Sequence, residues 1–477
     1  MLNFLSKQVL KKRYREFSQS QQDLLWTQEK ALEAFKANFP INIKAKNYRE
    51  FIKNTPAQEY NDIKTIKDLI NRPKDYGVHY FALTSGTTGP SKIFPYTKSV
   101  GKIMKRAQIT AASLFHHKTQ QNPVTMKSII LGGSCDVELP IQNIKCGTTS
   151  GYLSQFTPKI LQKKRFPKTN TQNINDFEAK VEAILNECGH ENINGITTLP
   201  SYFEFMMQTI LKLRNVKDIS EIWPQLQYFV YSGSSVMPYK ERINELMGKE
   251  IDTFGIYIST ESPMGVEAHM FQTGLPGYLL NAEDVIYGFA YDDGTIATID
   301  ELKEGDNVRI LISMPNGLHN YIIGDRVLIT STKPYFTLEP IGREGAILDT
   351  FGEKVLERDL QVALKNVSKK LGISPDHFFV YPELNEQKKK YYQWVLVQNS
   401  DHCEKSFNQA IDESLMEIST EYRDIRKEMN VLSHPKSQVI SNELTNKIFK
   451  ERSHKCQLKF KTIFPSRTEL NKYLNIK

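Results

Sequence analysis

Between Leu10 and Phe35 the apolar side chains fall at positions 10, 14, 17, 24, 25, 32 and 35. This spacing draws one stripe on a helix that stops before Pro40, and predicts an amphipathic helix packed on its own domain. A basic helix of this kind can also lie on a membrane surface, but packing is the simpler expectation. Further on, Ser128–Leu131, Gln227–Tyr231 and Val308–Ile312 are short apolar runs of strand length. Helical patterns at Phe177–Cys188 and Lys240–Met247 separate them, so an α/β sheet is expected. After residue 342 the texture changes. A helix over Lys354–Leu371, strands at His377–Tyr381 and Tyr391–Val397, and a long helix over Glu404–Met429 form an α+β pattern. The organisation expected is α/β: a large N-terminal domain of mixed β-sheets and helices over 1–342, then a smaller α+β domain over 343–477.

The 477-residue length fits two domains, and 40% hydrophobic residues allow a sizeable core. Lys and Arg exceed Asp and Glu by 62 − 54 = 8. The basic residues are scattered, which argues against a nucleic-acid surface and suits an anionic small molecule. Five cysteines, widely spaced and with no CxxC, argue against a disulfide framework or a zinc site and fit a reducing compartment. No apolar run approaches transmembrane length, and residues 1–10 lack a signal-peptide core, so a cytoplasmic chain with no stable membrane association is expected. His116-His117 have no ligand spacing and read as surface residues.

Candidate chemistry begins with LTSGTTGPSK, Leu83–Lys92. Gly86 and Gly89 free the backbone, while Ser85, Thr87 and Thr88 offer short donors and Lys92 a positive charge. The spacing is GxxGxxK, not a Walker A loop, so by itself the segment suits a phosphate loop or a plain turn. Four more segments follow. In YSGSSVMPYKERINELMG a strand end runs through Ser232, Gly233, Ser234 and Ser235 into a helix. DTFGIYISTES ends a strand with Tyr257, Ser259, Thr260 and Glu261. NYIIGDRVLIT sets Asp325 in a Gly-Asp turn before a strand, and IGREGAILDTFGEKV carries Arg343 and a Gly-Glu-Lys turn.

These five segments, in this order from Thr84 to Val355, resemble the acyl-adenylate-forming superfamily. The Gly-Arg and Gly-Glu-Lys pair and the Tyr321–Asp325 approach resemble its acyl acid–amido synthetase branch, the auxin-responsive promoter family and its bacterial relatives. The resemblance implies an ATP- and Mg²⁺-dependent ligase with a mobile C-terminal lid. Such an enzyme adenylates a carboxylic acid, releases pyrophosphate, and passes the acyl group to an amino acid with release of AMP. It also implies roles. Ser85, Gly86, Thr87, Thr88, Gly89 and Lys92 hold the ATP phosphates; Ser232, Gly233, Ser234 and Ser235 line the adenine pocket; Tyr257 flanks the base beside Ser259. Thr260 binds the α-phosphate, Glu261 the Mg²⁺, Asp325 the ribose hydroxyls, and Arg343 sits near the same ribose. A short Gln457-x-Lys459 segment, with Lys461 close by, matches the family's C-terminal active-site lysine.

Plainer readings stand beside these roles. Asp325 can cap a turn, Glu261 can pair with a surface Lys, Arg343 can bridge domains, and Tyr257 can be core. A strand with an alternating Lys face accounts equally for residues 454–464. Ile322-Ile323 replaces the Arg or second Tyr that relatives carry before Gly-Asp. Two other functions stay open: a coenzyme A ligase, and a nucleotide-binding protein without catalysis. Substrates are expected to be a small carboxylic acid and an amino acid, held by a monomer. Acid specificity is expected around Leu199–Met206 and Thr97–Ala112.

Overall fold

Where the apolar stripe predicts one helix, the chain forms two, α1 (Leu2–Ser20) and α2 (Leu24–Asn38). The break lies at Asp23, whose carboxylate accepts the Trp26 N–H at 2.9 Å and starts a fresh helix. The computed structural model describes residues 2–39, 43–84, 92–132, 141–155, 162–172, 174, 176–237, 239–343, 347–348, 350–351, 353, 355–386, 389–399, 403–443 and 461–475. It forms a larger unit within Met1–Pro340 and a smaller one from Ile341 onward.

Two further helices, α3 (Tyr48–Asn54) and α4 (Lys64–Asn71), lead into the first strands. The hairpin β1 (Val78–Leu83) and β2 (Ile93–Thr97) follows, then the long helix α5 (Lys98–Thr119), capped by the Thr97 side chain. Helix α1 packs on α5, its Phe17 clustered with Ala111, Leu114 and Phe115, and Leu10 is buried as well. Arg13 is buried between them. Its Nε donates to Thr110 Oγ1 at 2.8 Å, and both terminal nitrogens reach the Glu283 carboxylate. The Tyr14 ring stacks on His117 with centroids 3.8 Å apart. His116 is buried, its Nδ1 2.7 Å from the Gln121 carbonyl. His116 is therefore not a surface residue, its ring being turned in to the chain that follows α5, whereas His117, stacked on Tyr14, stays exposed as expected.

The main sheet begins with parallel strands: β3 (Lys127–Ile130), β5 (Arg165–Phe166), β6 (Ile193–Thr198), β7 (Tyr228–Ser232) and β8 (Asp252–Ile258). Helices Phe177–Cys188, Pro200–Arg214 and Lys240–Met247 return the chain between the last four. At β9 (Pro263–Glu267) the sheet turns antiparallel. It continues through β10 (Tyr278–Leu280), β11 (Ile286–Ala290), β12 (Ile296–Ala297), β13 (Asn307–Met314), β14 (Leu318–Ser331) and β15 (Thr337–Arg343). The order is β12-β11-β13-β14-β15-β10-β9-β8-β7-β6-β3-β5, while β2, β1 and β4 (Cys146–Gly147) form a separate small sheet. In such open sheets ligands sit beyond the carboxyl ends of the parallel strands. Here that edge is where β6, β7 and β8 stop.

In the smaller unit, helix Glu357–Leu371 precedes the antiparallel pair His377–Leu384 and Lys390–Val397. A third strand, Lys436–Ile440, joins in parallel. It is only five residues long and its sequence, KSQVI, gives little apolar signal. The single helix expected over 404–429 ends at Ile418. Ser419 then caps a new turn at Tyr422, and Asp424–Glu428 widens into a π-helical turn. Buried Asp412 ties this segment down, accepting from Tyr422 Oη at 2.7 Å and from Arg426 Nε and Nη2 at 2.8 and 2.7 Å.

Near the α1–α5 contact, Asp284 lies 3.4 Å from Arg106 Nε. Burial pushes its carboxyl up to about 6; Glu283 adds to the rise, and Arg106 and Arg13 oppose it. The native state thus holds this proton more tightly than the unfolded chain, whose Asp titrates near 4. The sign follows: stability is greatest with the proton on, and about 3 kcal/mol is lost as pH rises from roughly 4 through 6. Asp284→Asn removes that loss. In thermal melts across this range the variant should gain steadily on the wild type and then hold a constant lead. Parallel curves would show that Asp284 does not titrate in this window.

Candidate active site

Two bonds close the neck of the β1–β2 hairpin. Thr84 N donates to Lys92 O at 3.0 Å, and Lys92 N donates to Thr84 Oγ1 at 2.9 Å. The Ser85–Gly89 segment that this neck holds lies outside the described residues. From the neck, the Lys92 ammonium donates to Tyr321 Oη at 3.1 Å, and the ring centroids of Tyr60 and Tyr321 each lie 5.6 Å from it. Two electron-rich ring faces and one oxygen therefore fix a cation at a set position. Tyr60 is itself fixed: its hydroxyl accepts from Ile93 N at 2.9 Å and donates to Ile93 O at 2.8 Å. Burial raises the Tyr60 hydroxyl's proton affinity, the Ile93 bond opposes this, and the nearby Glu261 charge adds to it.

Glu261 sits in the turn Ser259–Ser262, where β8 gives way to β9. Ser259 N donates to Ser262 O at 2.9 Å, and Ser262 N donates back to Ser259 Oγ at 3.2 Å. Other segments take up the two carbonyls between them. Tyr96 Oη of β2 donates to Thr260 O at 2.8 Å and shares a 3.1 Å bond with Thr149 Oγ1. Asn316 Nδ2 donates to Glu261 O at 3.1 Å. Asn316 belongs to the three-residue loop joining β13 to β14, where Gly317, at φ +96°, takes the left-handed conformation such loops require. Glu261 is 4% exposed, and its charge acts on both Tyr60 and Tyr96. Tyr96 is held well above the usual phenol range by burial first; Thr149 opposes that rise and the Glu261 charge adds to it.

Asp325 is not in a turn before a strand. It lies inside β14, in a bulge. Arg309 pairs with Arg326 and Leu311 with Ile322, so Ile310 alone faces Ile323, Gly324 and Asp325. Gly324, at φ +89°, permits the bulge, which sets Asp325 against Tyr257. Tyr257 Oη donates to Asp325 Oδ2 at 2.7 Å, and its half-buried ring lies 5.8 Å from that of Tyr278. Tyr257 is thus both a core-packed ring and a polar contact.

The Ser232–Ser235 turn follows β7 as expected, with Gly233 at φ +82° and Ser234 and Ser235 exposed. The pairing of Ser232 with Ile256 places it beside Tyr257 on the carboxyl edge.

Lys92, Ser259, Thr260, Glu261, Tyr257 and Asp325 are joined in one circuit within the larger unit. It runs from Lys92 to Tyr321, along β14 to Asp325, across to Tyr257, through the turn to Tyr96, and along β2 back to Lys92. Arg343 ends β15 and falls in the smaller unit, and Lys459 lies outside the described residues. Tyr60, Tyr96 and Asn316 were not singled out from the sequence. Asn316 carried one usable signal, the Pro-Asn-Gly loop of a hairpin; a tyrosine some thirty residues before Lys92 carried none. Among the described residues no three His, Cys, Asp or Glu side chains converge as a metal-binding cluster.

The GH3 family C-terminal domain matches residues 358–468. No curated protein sequence matches the chain. Among solved structures, AtGH3.15 acyl acid amido synthetase in complex with 2,4-DB superposes with a TM-score of 0.75 at 16% identity, covering 98% of this chain and 96% of that one. A second GH3.15 acyl acid amido synthetase structure gives 0.76 at 16% identity, covering 97% and 95%. 2-Hydroxyisobutyryl-CoA ligase with 2-HIB-AMP, in the postadenylation state, gives 0.59 at 12% identity, covering 97% and 91%. Residues 358–468 therefore match the GH3 family C-terminal domain, and over nearly its whole length the chain has the fold of the solved GH3.15 acyl acid amido synthetases.

Proposed function

We propose that this protein is an ATP-dependent acyl acid–amido synthetase. The supporting observation is the circuit itself: a caged lysine, a buried carboxylate and a bulge-held aspartate at the carboxyl edge of one sheet. The GH3-like fold points the same way.

In this reading a substrate carboxylate oxygen attacks the α-phosphorus of ATP, and the bond to pyrophosphate breaks. Lys92 and the Ser85–Gly89 loop neutralise the phosphate oxygens as charge spreads over them. Asp325, held by Tyr257, accepts from the ribose hydroxyls, and the Ser232–Ser235 turn lines the adenine. Thr260 meets the α-phosphate. Glu261 fits Mg²⁺, a cation that takes one or two carboxylates and completes its shell with phosphate and water oxygens. When bound, the metal supplies positive charge at the departing pyrophosphate. An amino acid amine then attacks the acyl carbon, the bond to AMP breaks, and the amine loses a proton to solvent. Residues 1–342 bind ATP and the acid, and residues 343–477 form the lid, with Arg343 and Lys459 serving the nucleotide. The protein works as a cytoplasmic monomer on small molecules.

The test is pyrophosphate release from Mg-ATP against aryl, indole and fatty acids with pooled amino acids, read with mass spectrometry for the amide. Acid-dependent release with an amide product supports the reading. A thioester made with coenzyme A would name a different acceptor, and ATP binding without any release would remove catalysis. Lys92→Ala should slow pyrophosphate release by about 10² to 10³, the scale for one lost transition-state donor. Near-normal turnover in that variant takes Lys92 out of the mechanism.

Asp325 gives a separate readout. If it holds the ribose, the wild type prefers ATP to 2′-deoxy-ATP. Asp325→Ala should bind ATP about 10- to 100-fold more weakly and lose that preference, as expected for charged hydrogen bonds. An unchanged preference, measured by isothermal titration, rules out ribose binding by Asp325.

A further inference from the structure

Helix α1 presents two unlike faces. Leu10, Arg13 and Phe17 are buried against the larger unit. Phe4, 66% exposed, and Leu5, 52% exposed, point away from them, and Val9, 55% exposed, borders the buried face one turn before Arg13. Three large apolar side chains within two turns are more than scattered surface residues. The next turns of the same outward face carry Lys11, Lys12 and Arg15, all exposed, with Glu16 as the acidic group among them. Lys12 lies 3.8 Å from Glu16, which also pairs with inward-facing Arg13 at 3.5 Å.

The apolar tip is not a frayed end. Asn122 Nδ2 donates to Asn3 Oδ1 at 2.7 Å and to Ser6 Oγ at 2.8 Å, pinning the first turn to the loop after α5. The pinned side is the inner one, so Phe4, Leu5 and Val9 are held outward. Neither the catalytic reading nor the packing of α1 uses this face.

We propose that the outward face of α1 docks reversibly on a membrane surface of anionic lipid headgroups. The chemistry fits in two parts. Apolar side chains enter the boundary between headgroups and acyl chains, while the following Lys and Arg side chains meet lipid phosphates. A second copy of this chain fits less well, because a two-fold contact through this face would bring its cations together. Among the described residues no helix is long and apolar enough to cross a membrane, so the contact is interfacial.

Co-sedimentation of the full chain tests this, with vesicles of phosphatidylcholine alone and with about one-third phosphatidylglycerol added. The wild type should pellet with the anionic vesicles at low salt and be released as salt rises. Leu5→Glu with Val9→Glu, and separately Lys11→Glu with Arg15→Glu, should each weaken binding at least tenfold, roughly the scale for losing two charge contacts. All four side chains are exposed, so thermal midpoints should stay unchanged, and loss of binding without loss of folding supports the proposal. Equal binding to both vesicle types, no binding, or variants that bind like the wild type would each overturn it. So would a wild-type dimer in sedimentation velocity that these substitutions dissociate.

Discussion

The turn Ser259–Ser262 is where the sheet changes from parallel to antiparallel, and the site depends on how its carbonyls are satisfied. A buried chain reversal leaves polar backbone groups that cost free energy unless partners reach them. Thr260 O takes the Tyr96 hydroxyl from β2, and Glu261 O takes the Asn316 amide from the β13–β14 loop. Three segments widely separated in sequence must therefore be in place before Glu261 can hold its position. The same bonds carry β2 to the edge of the main sheet, and Lys92 with it.

Tyrosine recurs through the circuit for a physical reason. Tyr60, Tyr96, Tyr257 and Tyr321 each pack a ring in the core and extend a hydroxyl to a charged or backbone group. An apolar body with a polar tip lets a buried wall touch an ion without exposing the core to water. Phe94, two residues before Tyr96 along β2, has its ring 6.1 Å from that of Tyr321, so the cage around Lys92 merges into ordinary aromatic packing. The cost is the raised proton affinity of Tyr60 and Tyr96, which stay neutral and able to donate.

A different balance holds α1. Burying Arg13 is tolerable because Thr110 and Glu283 together meet its guanidinium, the condition for keeping a charge inside a protein. That anchor fixes the helix's rotation. By fixing which residues face in, it also fixes which face out, so Phe4, Leu5 and Val9 follow from the Arg13 contact.

The sequence alone determined the alternation of strands and helices, the shift in texture near residue 342, and the order of the five chemical segments. Each of these is local, set by side-chain period or by small residues at a turn. It also singled out Lys92, Glu261 and Asp325, which the fold brings into one hydrogen-bonded circuit. It could not show that Asp325 sits in a strand bulge, since Gly-Asp reads the same in a turn and only the β13–β14 register tells them apart. It could not reveal that His116 is buried, or that one apolar stripe is two helices broken by the Asp23 cap. Tyr60 and Asn316 were beyond its reach for the same reason. Their roles lie in hydrogen bonds to residues tens of positions away, and such partners are chosen by how the sheet and its hairpins close, which no local pattern records.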